Sequence, residues 1–78
     1  MNQNELKNTI LKVLLSVAPD IEAGEIIEDE NFREQFDFDS MDFLNFVIGL
    51  SKKLNKDISE KDYPKLSSLK SCIAYFNT

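Results

Sequence analysis

The sequence predicts an all-α fold: a small bundle of three main helices plus one short helix, with a long ordered loop between helices one and two. Three observations carry that prediction. Apolar residues recur at three- and four-residue spacing in three separate stretches, and no alternating pattern of strand period occurs. The chain also holds only two Gly and two Pro, few breakers for its length of 78 residues. With 42% hydrophobic and 29% charged residues, it reads as one domain over residues 1–78 with a thin core, and not as a disordered chain.

The first helix is expected over residues 3–17, where Leu6, Ile10, Val13, Leu14 and Val17 form one apolar stripe. Asn2 or Asn4 caps it, and it stops before Pro19, because a proline pushes the preceding residue out of the helical region. Residues 18–38 show no sustained period. Ile21, Ile26, Ile27, Phe32 and Phe36 are spread along them as anchors, so the segment is read as an ordered crossover with room for one short helical turn.

The second helix, residues 40–54, carries two apolar rows. Phe43, Phe46, Val47, Leu50 and Leu54 suit a core face, whereas Met41, Leu44 and Ile48 form a row turned to the side. A helix apolar on two faces is either fully buried or offers one face to a partner, and a bundle this small favours the partner. A polar turn follows Asn55, then Ile58 and a short element at 60–65 interrupted by Pro64. Ser67 or Ser68 caps the last helix, which runs to Phe76 and buries Leu69, Cys72, Ile73 and Phe76.

Charge and composition exclude whole classes of function. Net charge is −5, and residues 20–42 hold ten acids against a single base, Arg33, while the remainder holds four acids and eight lysines. Such a segment repels nucleic acid and anionic lipid and attracts basic surfaces, so no nucleic-acid role is expected. The longest uncharged apolar stretch, residues 43–50, is too short to enter a bilayer as a span, and the chain opens without a signal-peptide pattern. A cytoplasmic monomer is expected. The chain has no histidine and one cysteine, which removes the Ser-His-Asp triad, His metal ligands, an internal disulfide and any thiolate cluster. Cys72 lies on the buried stripe and reads as core.

The informative segment is Asp37-Phe38-Asp39-Ser40-Met41-Asp42. A calcium loop needs an acid at position five, Gly at six and Glu at twelve; counted from Asp37 those places hold Met41, Asp42 and Ile48. That reading fails. Ser40 is either an N-cap or a free hydroxyl. As a cap it has Phe43 three residues on, which forms no capping box; Asp39 caps better, with Asp42 in the first turn. A free serine there suits a covalent phosphate ester, because the unpaired amides of a helix start stabilise an anion. The motif alone leaves both readings open.

Phe32, Phe36, Asp39-Ser40-Met41, the apolar helix that follows, Ile58 and the stretch from Leu66 to Phe76 resemble the acyl carrier protein family in order and spacing, over nearly the whole chain from Leu6. The family's attachment motif is Asp-Ser-Leu, and Asp39-Ser40-Met41 is similar, with Met for Leu. The resemblance implies a carrier and not a catalyst, with neither catalytic nor metal-binding residues. Ser40 would be esterified with 4′-phosphopantetheine from coenzyme A by a separate phosphopantetheinyl transferase, and the arm's thiol would hold an acyl group as a thioester. Such a tether delivers its cargo at high effective concentration. The bundle would shelter an acyl chain among Phe46, Val47, Leu50, Leu54 and Ile73. Partners implied are acyl-activating, condensing or acyltransferase enzymes with basic docking patches, met by Asp37, Asp39, Asp42, Met41, Leu44 and Ile48.

Two departures from the family pattern matter. Asp37 stands where the family usually has Gly, at a backbone position of unusual dihedrals that Asp tolerates, and Phe38 beside it adds bulk near the arm's root. Asn45, Ser51, Lys52 and Lys53 replace the acids usual along this helix, which implies a specialised carrier whose partners differ from those of bulk fatty-acid synthesis. The enzymes served by such carriers are those of fatty-acid, polyketide or specialised-lipid synthesis. Alternatives are a peptidyl or D-alanyl carrier, or an unmodified interaction module in which Met41, Leu44 and Ile48 only bind protein.

Overall fold

The computed structural model describes residues 2–77, which contain helices and no strand. Helix α1 is Gln3–Val17, α2 Phe32–Gln35, α3 Ser40–Leu54 and α4 Leu69–Phe76, with 3-10 turns at Ala23–Glu25 and Glu60–Leu66. The crossover thus holds two turns of helix where the sequence left room for one.

Asn2 starts α1 by accepting the Glu5 N–H at 2.8 Å, satisfying one of the amides a helix start leaves unpaired. Leu6, Ile10, Val13 and Leu14 are buried on one face, which packs against both α3 and α4. Burial of each such side chain contributes about 1.5–3 kcal/mol. Helices α1 and α3 approach closely at Gly49, where an added Cβ would stand 2.7 Å from Val13 Cγ1. Helix α3 closes at Asn55, whose left-handed backbone (φ 53°, ψ 48°) returns its N–H to Ser51 O.

The crossover is held by aromatic packing and by backbone bonds to the C-terminal third. Phe32 and Phe46 are fully buried, with ring centroids 5.4 Å apart, edge to face. Phe38 stands 5.8 Å from Phe32 and 6.2 Å from Phe46. Each such pair adds about 0.5–1.5 kcal/mol beyond burial. Phe32 N–H donates to Ser67 O and Lys70 N–H to Glu28 O, both at 2.8 Å.

Two expectations for this segment are corrected. Ile27 is not an anchor: it is 51% exposed, while Ile26 packs against the core. Gln35 explains the turn-out, since its amide accepts Ile27 N–H at 2.8 Å and donates to Ile27 O at 2.9 Å, fixing that backbone at the surface. Asp37 does not adopt a left-handed backbone; among the described non-glycine residues only Asn55 has positive φ. Phe36 instead leaves α2 extended (φ −134°, ψ 162°), and Phe38 turns inward to 4% exposure. Phe38 therefore belongs to the core and does not crowd the surface at Ser40.

At the C-terminal end, Ser68 caps α4 in a reciprocal box with Ser71. Cys72 is fully buried; its Sγ–H donates to Leu66 O at 3.4 Å, and desolvation pushes the thiol up to about 12. It is a core residue with no thiolate at neutral pH.

Candidate functional site

The junction of the crossover with α3 is built by two carboxylates. Asp39 is the N-cap: its Oδ1 accepts the Asp42 N–H at 2.9 Å, and Asp42 Oδ2 accepts the Asp39 N–H at 3.4 Å. The box satisfies a helix start and sets two negative charges where the helix dipole favours them. Ser40 follows as the first helical residue, exposed to solvent. Capping falls to Asp39, so the Ser40 hydroxyl is free of that duty. Among the described residues its hydrogen bond comes from Arg33, whose Nη2 donates to Ser40 Oγ at 3.5 Å.

Asp37 and Asp39 are exposed beside the hydroxyl, and Asp42 is half-buried. Met41 (65% exposed) follows Ser40 directly, with Leu44 (38%) about one turn and Ile48 (44%) about two turns along α3, an apolar row at the surface. The six recognition residues expected from the sequence thus lie along the start and one outer side of a single helix.

An open cleft of about 230 Å³ reaches this junction, lined by Asn31, Arg33, Phe43, Tyr63, Pro64 and Ser67. Arg33 belongs both to the cleft wall and to the Ser40 hydrogen bond. None of the five expected acyl-lining residues lines this cleft. Phe46, Val47 and Leu50 are closely packed at 0–2% exposure, and Ile73 is 8% exposed. Leu54 lines a separate cleft of about 310 Å³ with Leu6 and Phe76, about 21 Å along α3 from Ser40 at 1.5 Å per residue.

Sequence reasoning missed Tyr63 and Pro64, which reach the site only through tertiary packing: Phe43 and Tyr63 meet edge to face at 6.2 Å. Arg33 carried a signal, as the lone base of an acidic stretch seven residues before Ser40, but its contact needs the turn at α2 to be known.

Chemically, Ser40 offers an exposed hydroxyl at a helix start, in a chain without histidine. It can be esterified by another protein and can carry what it receives. The donor set fits a phosphate ester: one accessible oxygen, one guanidinium within reach, and an apolar cleft alongside.

A family model described as the phosphopantetheine attachment site matches residues 8–76. An acyl carrier protein of Chlamydia caviae is 29% identical over 76 residues, covering 97% of this chain and 92% of its own. The acyl carrier protein of Chlamydia felis is 33% identical over 58 residues, 74% of each chain. That of Buchnera aphidicola is 26% identical over 77 residues, covering 99% and 94%. The matched span takes in Ser40, its cap and every residue of the adjoining cleft.

Proposed function

We propose that Ser40 bears the prosthetic group of this protein, because the chain belongs to the acyl carrier protein family, whose members are carriers rather than enzymes and work through covalently attached 4′-phosphopantetheine. The observation that supports Ser40 most is its hydroxyl: exposed, one residue past a cap already made by Asp39, and within 3.5 Å of a guanidinium. When attached, the group supplies a thiol that holds acyl chains as thioesters. The chain's own residues provide the anchor, the surface that partners meet and the apolar surroundings of the cargo.

Family membership implies interaction with a phosphopantetheinyl transferase and with acyl-handling enzymes. For the contact itself, the acids Asp37, Asp39 and Asp42 attract a basic patch on the partner, and Met41, Leu44 and Ile48 supply the apolar area. An acyl chain enters at the Phe43–Tyr63 cleft and reaches Phe46, Val47 and Leu50 only if the helices part, since those residues are closely packed. Lys52 and Lys53 in the last turn of α3 limit the negative surface to its start. That charge pattern suits partners other than those of bulk fatty-acid synthesis, and the acidity around Ser40 favours acyl over aminoacyl cargo.

Coexpression with a broad-specificity phosphopantetheinyl transferase, followed by intact mass, should show one added phosphopantetheine that is lost in Ser40→Ala. An unmodified wild-type protein under those conditions would overturn the assignment. Loading with acyl-activating and aminoacyl-activating enzymes then separates an acyl carrier from a peptidyl or D-alanyl carrier.

A further inference from the structure

Arg33 is the lone base among residues 20–42, yet it is not spent on the acids around it. Among the described residues the ion pairs within 4.0 Å are Lys7–Glu28 and Lys65–Asp62. Arg33 instead reaches Ser40 Oγ at 3.5 Å, beyond the usual length of an N–H···O bond. That distance is poor for a hydroxyl and well suited to a phosphate. An ester at Oγ carries two unbridged oxygens farther out, sharing one negative charge, and the planar guanidinium offers paired donors that match such oxygens.

The surroundings call for a countercharge. Asp39 and Asp42 flank the hydroxyl with their carboxylates fixed on backbone amides, and Asp37 is exposed nearby. A phosphodiester added there brings a further negative charge into an acidic cluster, where like charges disfavour one another. Among the described residues, Arg33 is the cation hydrogen-bonded to Ser40 Oγ. It also lines the cleft with Phe43, Tyr63 and Pro64, so a phosphate held by Arg33 sits at the mouth of that cleft.

We infer that the Arg33 guanidinium clamps the phosphodiester formed at Ser40 and thereby positions the root of the arm beside the Phe43–Tyr63 cleft. The inference rests on Ser40 being the attachment residue. Arg33 is in this account a positioning residue: it holds the arm and takes no part in acyl transfer.

The test uses the full chain, modified by the transferase and checked by intact mass, as wild type, Arg33→Gln and Arg33→Lys. In wild type, the Arg33 side-chain Nε–H resonance shifts on going from unmodified to modified protein. The phosphorus resonance of the modified wild type differs from that of a short serine peptide carrying the same phosphodiester and moves toward it as salt is added. Arg33→Gln loses the displacement and the salt response, while Arg33→Lys keeps part of both. Circular dichroism melts establish that the variants are folded; Arg33 is exposed, so little loss is expected. An unshifted Arg33 Nε–H together with a phosphorus resonance indifferent to Arg33→Gln overturns the clamp while leaving Ser40 in place. Wild-type protein that takes no modification overturns the attachment reading itself, and the clamp with it.

Discussion

Two helices of this molecule begin at a serine and a reciprocal capping box, with opposite results. At α4, Ser68 is itself the cap: its hydroxyl accepts the Ser71 N–H at 3.2 Å, and the residue is only 7% exposed. At α3 a carboxylate does that work, and Ser40 stands one residue later, exposed and outside the box. The difference teaches that a serine at a helix start becomes available to chemistry only when a neighbour relieves it of capping. It also shows why acids gather at one junction and not the other. Asp39 and Asp42 stabilise the helix start and charge its surroundings at once, whereas the Ser68–Ser71 box is neutral and closed in by packing.

The widest separation expected between the two serines is all-or-none. Ser40→Ala abolishes modification and leaves stability within about 0.5 kcal/mol, since the side chain is exposed and caps nothing. Ser68→Ala leaves modification of the folded protein intact. Gly49→Ala, away from both helix starts, tests whether modification tracks the junction or mere stability. Its Cβ would press on Val13, so it should lower unfolding free energy by about 1–3 kcal/mol in urea titrations without blocking modification. Asp39→Ala and Ser68→Ala each remove a cap and should each cost about 1 kcal/mol. The comparison sharpens if only Asp39→Ala also slows the transferase, and it breaks if both do.

Asp37→Lys reverses one exposed charge without touching the capping box. It should slow modification by up to about tenfold at low salt, less as salt screens the encounter, in rates followed by mass. The smallest effect belongs to the α4 side. Tyr75 OH donates to Asp62 Oδ2 at 2.8 Å, and that hydrogen bond holds the Asp62 carboxyl below its ordinary 3.8. The stability it contributes is present above the unfolded-state pKa and is lost as pH falls through the lowered folded value. Tyr75→Phe raises the Asp62 pKa, seen by side-chain NMR titration, and narrows the difference between melts at neutral pH and at about pH 3.

Much of the fold was legible because its signals are local. The stripe from Leu6 to Val17 with Pro19 beyond it, and the double row from Met41 to Leu54, define α1 and α3 as the structure has them. Asp39 was legible as the better cap from Asp42 three residues on. What escaped was set by contacts between distant segments. Ile27 looks like any other loop isoleucine until Gln35, eight residues on, fixes its backbone. Phe38 looked like bulk beside Ser40, whereas its burial comes from Phe32 and Phe46 on two other elements. The cleft at the site combines residues from α2, α3 and the second 3-10 turn, and no spacing in the chain announces such a meeting.

The most direct test locates the added group by residue. Peptide mapping by tandem mass spectrometry of the protein modified in cells should place phosphopantetheine on the peptide containing Asp39-Ser40-Met41, with fragment ions confining it to Ser40. A group found instead on Ser67, Ser68 or Ser71 would contradict the account, because the serine that packing hides would then be the one that chemistry reaches.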